Sequence, residues 1–266
     1  MKNDLLTIGG LTVHGYGLMI GIGFIAAYLM TEYRARKYKM NTDIVFSLFL
    51  SSVVFGLLGA KLMYYLTILD QIIKDPGVIV DQRDGFVVYG GIIGGVIAGY
   101  VVCRVKKERF WRYFDLIAPA IALAQGFGRI GCLLAGCCYG KETDSSCSIT
   151  FHSSDIAPNG VALIPTQIYS SILDFLNCIV LCLIARRAKK EKTVAGCYLL
   201  FLQYRAFYSG VFPGRPGEGK CRSDIDFTVY FYFYFCHRSS DASYRKKAAD
   251  CAGNEGLLKN RVPVSL

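Results

Sequence analysis

Charge is scarce in this chain. Asp, Glu, Lys and Arg make up 19% of its 266 residues, against 53% apolar residues, and the mean hydropathy is +0.36. That balance excludes an ordinary soluble domain of this size. Histidine is rarer still: His14, His152 and His237 are the three present. None stands with a Ser, Cys or Asp at a hydrolase spacing, and no G-x-S-x-G occurs, so the chain offers no recognisable nucleophile of its own. No internal repeat of the kind that marks the two halves of a transporter is visible. The cysteines do not follow a disulfide-ladder spacing. Cys103, Cys178, Cys182 and Cys197 fall in apolar runs as small hydrophobes. Cys132, Cys137 and Cys138 cluster, but without a second C-x-x-C or a nearby histidine, which argues against a metal centre.

Long apolar runs are what the sequence has in abundance. They cover Tyr16 to Tyr33, Ile44 to Leu66, Phe86 to Cys103, Phe114 to Ala135, Ile168 to Ala185 and Val194 to Tyr208. Most reach the ~17 to 25 residues that cross a ~30 Å hydrocarbon core. The expected fold is an all-α polytopic membrane helix bundle of six to seven spans, with glycine-broken helices around an outer-leaflet cavity. Further spans follow the first run, little positive charge precedes it, and no clear small-residue cleavage site ends it, so it is not read as a cleavable signal.

The net charge of +10 raises nucleic acid as a partner, but the positions of the basic residues point elsewhere. Arg34, Arg36, Lys37 and Lys39 follow span one; Arg104, Lys106, Lys107, Arg109 and Arg112 follow span three; Arg186, Arg187, Lys189, Lys190 and Lys192 follow span five. The opposite loops hold only Lys2, Lys74, Arg83 and Lys141. By the positive-inside rule the amino terminus lies outside and the odd spans run inward. A nucleic-acid surface would need these clusters on one face with stacking aromatics between them.

Within span four the run QGFGRIGCLLAGCCYG, Gln125 to Gly140, carries one cation, Arg129. A charge at a helix centre costs about 2.5 to 3.5 kcal/mol on insertion scales, and intramembrane ionisable groups are functional by default. Guanidinium presents a planar fork of donors that matches phosphate oxygens. The bland alternatives are snorkelling to the headgroups or pairing with a carboxylate. With the topology above, the polar groups converge on the outer half of the membrane. Tyr16 and Gly17 open span one, Lys61 ends span two, Tyr89, Gly90 and Gly91 begin span three, and Gln167 and Tyr169 begin span five. Gly95 and Gly99 are assigned to helix packing. Gly90, Gly91, Gly128, Gly131, Gly136 and Gly140 are read as bare backbone able to receive an anion. Each tyrosine also suits an interfacial aromatic belt.

The motifs YGLMIGIGF, GAKLMYY, FVVYGGIIGG, GRIGCLLAGCCYG and PTQIY, in this order and spacing, resemble those of prolipoprotein diacylglyceryl transferases of the Gram-positive, clostridial-type branch. The resemblance runs from Ile8 to Leu200, and the block around Arg129 is its most specific part. It implies a seven-span enzyme of the bacterial plasma membrane with its active site toward the outer leaflet. That enzyme moves the diacylglyceryl group of phosphatidylglycerol to the lipobox cysteine thiol of a preprolipoprotein signal peptide, releasing glycerol 1-phosphate. No metal or organic cofactor is implied. Arg129 matches the signature arginine that would hold the phosphate, Gly140 its closing glycine, and Tyr16 the tyrosine at the outer mouth of span one. The resemblance places Arg129, Tyr89 and Tyr16 in catalysis. Lys61, Gly90, Gly91, Gly128, Gly131, Gly140, Gln167 and Tyr169 are the expected substrate-binding residues.

Several positions depart from the family pattern. Tyr89 stands where many members carry a histidine before two glycines, so thiol activation falls to a tyrosine, a phosphate oxygen or water. Cys132 and Cys137 replace an asparagine and a glutamate of proteobacterial members. Beyond Leu200 the expected final spans, with their arginines, do not follow: Arg205 and Arg215 lack the expected neighbours, and the apolar run Phe227 to Cys236 is too short to cross a bilayer. Residues 1 to 208 are therefore expected to form the transferase core, and 209 to 266 an irregular tail that reads like a shifted frame or a degenerate end. The competing function is a small multipass anion transporter or channel with Arg129 as its selectivity residue.

Overall fold

The computed structural model describes residues 4–8, 11–75, 77, 85–154, 156–188 and 190–211. Lys2, Arg83, Lys189, Arg215, His237, the side chain of Arg205 and the tail beyond 211 lie outside the described residues. A short antiparallel hairpin opens the described chain, β1 (Asp4–Ile8) with β2 (Leu11–His14). Among the described residues seven helices follow: α1 (Gly15–Lys37), α2 (Thr42–Thr67), the short α3 (Leu69–Lys74), α4 (Val88–Val105), α5 (Phe110–Ala135), α6 (Thr166–Arg187) and α7 (Thr193–Val211). Two two-residue strands, β3 (Ile149–Thr150) and β4 (Ala162–Leu163), pair within the segment joining α5 to α6. The chain divides into two units, Met1–Tyr198 and Leu199–Leu266; of the second, the described part is the end of α7.

Helices α1, α2, α4, α5 and α6 are long and apolar enough to cross a membrane, so a polytopic helical membrane protein is the architecture observed. Their outward faces carry large apolar side chains: Ile25 is 60% exposed, Leu62 63% and Leu173 58%. Such faces suit hydrocarbon, because a soluble monomer rarely leaves contiguous apolar surface of this extent in water. The sixth expected span, Val194 to Tyr208, falls within α7, whose described apolar portion is Thr193–Tyr204.

The principal helix pairs are α2 with α4, α1 with α5, and α5 with α6. Between α2 and α4 the backbones touch. A Cβ on Gly59 would run into the carbonyl of Gly90, one on Gly90 into the carbonyl of Gly59, and one on Gly94 into that of Phe55. Glycine is needed at these positions because any side chain would push the helices apart. Gly95 and Gly99, expected to do this packing, have ordinary spacing, with nearest atoms at 3.7 Å. The spacing in the sequence identified a small-residue face, but the contact ridge lies one residue away.

At the end bearing the basic loops, Ala35, Ile44, Val45, Leu48, Cys103 and Leu116 form one buried cluster with Tyr113. Arg34, only 7% exposed, donates from Nη1 to the carbonyl of Leu116 at 2.7 Å. Asp115 accepts from the backbone N–H groups of Lys192 (2.6 Å) and Ala195 (2.7 Å). Its carboxylate thereby satisfies donors that the start of α7 would otherwise leave open. Arg109 pairs with Glu191 at 3.1 Å, joining the second and third basic loops.

Candidate active site

Gln125 through Ala135 lie in the unbroken helix α5, which ends at Gly136 with φ +69°. This corrects the expectation of a glycine-broken helix with bare backbone at Gly128 and Gly131. Gly128 and Gly131 are interior helical residues whose N–H groups belong to the helix ladder, and the chain turns away only five residues after Gly131. Arg129 is half-buried in this helix. Among the described residues the ion pairs are Arg36 with Glu32 and Arg109 with Glu191, and Arg129 is in neither.

Tyr16, 42% exposed at the start of α1, lies within electrostatic reach of Arg129 and of the thiols of Cys132, Cys137 and Cys138. Its ring and carbonyl fit against Gly131, where an added Cβ would come within 3.2 Å of the ring. Further along the same pair, Gly23 lets α1 approach Phe127 and Ala124. The α1–α5 crossing thus packs Tyr16 on Gly131 and brings it within electrostatic reach of Arg129. Around Gly128, by contrast, an added Cβ would meet nothing within 4 Å.

The turn after α5 folds back over the helix end. Gly136 N–H donates to Leu133 at 3.2 Å and Cys137 N–H to Cys132 at 3.0 Å, closing the helix through a left-handed glycine. Cys138 is also left-handed, with φ +60°. The result brings the three sulfurs within 4.8 Å of one another. The amino-terminal end of α6 holds this turn from the other side. Gln167, 1% exposed, donates from Nε2 to the carbonyl of Cys137 at 2.8 Å. Thr166 Oγ1 donates to the carbonyl of Cys138 at 2.7 Å, and Gly140 N–H donates to the carbonyl of Ile164 at 3.0 Å. Gly140 has no room for a side chain, since a Cβ would sit 2.8 Å from that of Ile164. The connecting segment is itself cored by Phe151, Ala157 and Leu163, packed against Leu133 and Tyr139.

Arg129, Tyr16, Gly131, Gly140 and Gln167 are therefore brought together where α1, α5 and the start of α6 meet. Tyr169 lies one turn into α6 and is 46% exposed. Lys61 and Tyr89 belong to a second group, on α2 and α4. Lys61 Nζ donates to the carbonyl of Gly85 at 3.4 Å and stands 4.9 to 5.2 Å from the ring centres of Tyr64, Tyr65 and Phe86. Cation–π contacts with three rings stabilise this ammonium from within the protein. The N–H groups of Gly90 and Gly91, expected to be free for an anion, both donate to the carbonyl of Val87, at 3.1 and 3.4 Å. Gly90 is buried against Gly59, so its role is close packing.

Two buried polar residues further along α6 are not among the expected site residues. Ser171, 5% exposed, and Asp174, 2% exposed, follow Gln167 at i+4 and i+7. Together they place a buried polar stripe on α6, and Ser171 Oγ donates to the carbonyl of Gly126 in α5 at 3.0 Å. Three polar residues on one face of an otherwise apolar span were the available signal.

Comparison with known proteins accords with this geometry. The family model described as prolipoprotein diacylglyceryl transferase matches residues 3–211. A protein of Clostridium tetani (strain Massachusetts / E88) named phosphatidylglycerol--prolipoprotein diacylglyceryl transferase is 43% identical over 200 residues, covering 75% of this chain and 80% of the relative. A second protein, of Clostridium perfringens (strain 13 / Type A), bearing that name with the suffix 2, is 42% identical over 212 residues, covering 78% and 82%. One of Listeria monocytogenes serotype 4b is 31% identical over 210 residues, covering 77% and 74%.

Proposed function

Because this chain belongs to the prolipoprotein diacylglyceryl transferase family, we propose that it transfers the diacylglyceryl group of phosphatidylglycerol to the cysteine thiol of a preprolipoprotein lipobox, the first step of lipoprotein maturation. The observation that carries the assignment of roles is Arg129: a guanidinium in an apolar span, without a carboxylate partner among the described residues and within electrostatic reach of Tyr16. The thiol gives its proton to a phosphate oxygen or water as its sulfur attacks the glycerol carbon that bears the phosphodiester, the C–O bond breaks, and glycerol 1-phosphate leaves with the electron pair. Negative charge grows on the phosphate as this happens. A well-placed donor at such a point contributes about 2.7 to 4 kcal/mol to the rate. Arg129 supplies it, Tyr16 adds a hydroxyl donor, and the unobstructed space at Gly128 accommodates the headgroup.

Lys61, in its aromatic cage, and Tyr89 make up the second group and contribute to lipid entry. The site faces the outer leaflet of the bacterial plasma membrane, with the basic ends of α1, α4 and α6 in the cytoplasm. The core ends near Tyr208, and the following residues are a tail outside the family pattern. The test is an assay of membranes carrying the full chain with labelled phosphatidylglycerol and a lipobox peptide. Label on the peptide cysteine is the expected result, and unlabelled peptide with an intact, inserted chain would refute the assignment. An anion transporter is disfavoured by family membership, and transport of anions without peptide labelling is the result that would restore it.

A further inference from the structure

We propose that Cys132 and Cys137 form a thiol–disulfide modification site, closed by small two-electron thiol oxidants of the disulfide or azo class, and that the closed form does not transfer lipid. The geometry comes first. Cys132 lies in the last turn of α5, and the left-handed Gly136 reverses the chain, so that Cys137 N–H donates to the carbonyl of Cys132 at 3.0 Å. That bond holds the two residues together, and their sulfurs lie within 4.8 Å of each other. Neither is in a disulfide, and both are half-buried, within reach of a small reagent. The sulfur of Cys138 belongs to the same cluster, but successive Cα atoms stand ~3.8 Å apart across a trans peptide, below the ~4.4 to 6.8 Å that a disulfide usually spans. Cys137 therefore does not pair with its neighbour, and the backbone bond to Cys132 favours that partner.

Closing the bond brings the sulfurs to ~2.05 Å, a movement of up to about 2.7 Å from the reduced arrangement. The turn cannot absorb this in place. Gln167 Nε2 holds the carbonyl of Cys137 at 2.8 Å and Thr166 Oγ1 that of Cys138 at 2.7 Å, while Tyr16 and Arg129 both lie within electrostatic reach of Cys132. A shift of ~1 Å among groups that position a reaction costs on the order of 100-fold in rate. In the oxidation itself one cysteine sulfur bonds to the oxidant and the second displaces it. Two S–H bonds break, one S–S bond forms, and the oxidant takes both protons and both electrons: a small disulfide leaves as two thiols, an azo compound as a hydrazine. A dithiol reductant runs the exchange backwards.

The loss of transfer rests on the transferase reading, but the disulfide is read without lipid. The full-length protein in detergent is oxidised with diamide, an azo compound that leaves no adduct on a closed disulfide, and its remaining thiols are blocked with N-ethylmaleimide in denaturant. Residues 130–141, between Arg129 and Lys141, make one tryptic peptide carrying all three thiols. Its mass should be two hydrogens short, with a single maleimide on Cys138. In phosphatidylglycerol vesicles the oxidised chain should lipidate a lipobox peptide on the order of 100-fold more slowly, and dithiothreitol should restore the rate. Cys138→Ser and Cys147→Ser, the latter an exposed thiol outside the cluster, should still be switched off. Cys132→Ser and Cys137→Ser, each measured against its own reduced rate, should not. A peptide without the two-hydrogen loss, or a disulfide mapped to Cys138, overturns the site. A closed disulfide with unchanged lipidation, or equal inhibition of Cys132→Ser and wild type, overturns the inactive form. A chain that closes the disulfide but lipidates no peptide even when reduced overturns the proposed reaction, and the inactive form with it, while leaving the modification site established.

Discussion

Replacing Gln167 with leucine should uncouple activity from stability. Nε2 of Gln167 is the donor that holds the Cys137 carbonyl at 2.8 Å, and the side chain is 1% exposed, so no water substitutes for it readily. Leaving a buried acceptor unmade costs about 1 to 3 kcal/mol. The same substitution also removes Oε1, which is itself buried without a hydrogen-bond partner among the described residues. Relief of that second penalty, of the same order, offsets much of the first. Net destabilisation should therefore stay within about 1 kcal/mol. The turn from Gly136 to Gly140 nevertheless loses one of its two side-chain ties to α6, and with it the fixed relation between the thiols and Arg129. Displacement of reacting groups by about 1 Å costs on the order of 100-fold in rate. The assay pairs thermal unfolding of the detergent-solubilised chain with peptide lipidation in reconstituted vesicles. A nearly unchanged midpoint with strongly reduced lipidation is expected. Wild-type lipidation in Gln167→Leu would show that the tie to Cys137 does not organise the site.

Other perturbations separate packing from chemistry. Gly128→Ala should insert and fold normally, since nothing lies within 4 Å of the added atom, while Gly128→Leu should raise the phosphatidylglycerol KM; an unchanged KM in the leucine variant would remove the headgroup from this space. Gly94→Leu should part α2 from α4, because its side chain would meet the carbonyl of Phe55, and the protein should resist mild detergent less well than wild type. Asp115→Ala removes two hydrogen bonds to the start of α7 and should cost about 0.5 to 2 kcal/mol with lipidation per folded molecule unchanged, as read by denaturant titration alongside activity.

The helices were legible because their hydrophobicity is continuous and their ends are marked by basic clusters; the five long spans lie within a few residues of where the apolar runs place them. The cation in α5 was equally plain, since nothing else in that run is charged. The three-thiol cluster was not. On a regular helix Cys132 faces position 136, and only a left-handed turn at Gly136 and Cys138 brings 137 and 138 back to it. Nor could spacing alone decide which glycines pack. Gly95 has the small-residue spacing and Gly90 follows a polar tyrosine, yet it is Gly90 and Gly94 that meet the partner carbonyls of Gly59 and Phe55. The hairpin β1–β2 and the pair β3–β4 are too short to leave a periodic signature. Ser171 and Asp174 did leave one, at helical spacing from Gln167, and it was obscured by the apolar residues between them.

The central claim is that the guanidinium of Arg129 stabilises the phosphate of the lipid donor as it leaves. Single-turnover lipidation of a lipobox peptide by Arg129→Ala, Arg129→Lys and wild-type protein, at matched amounts inserted in phosphatidylglycerol vesicles, tests it most directly. Loss of one such donor predicts a 10²- to 10³-fold slower transfer in the alanine variant, with partial recovery in the lysine variant, which keeps the charge and loses the fork. Transfer by Arg129→Ala at the wild-type rate would contradict the account.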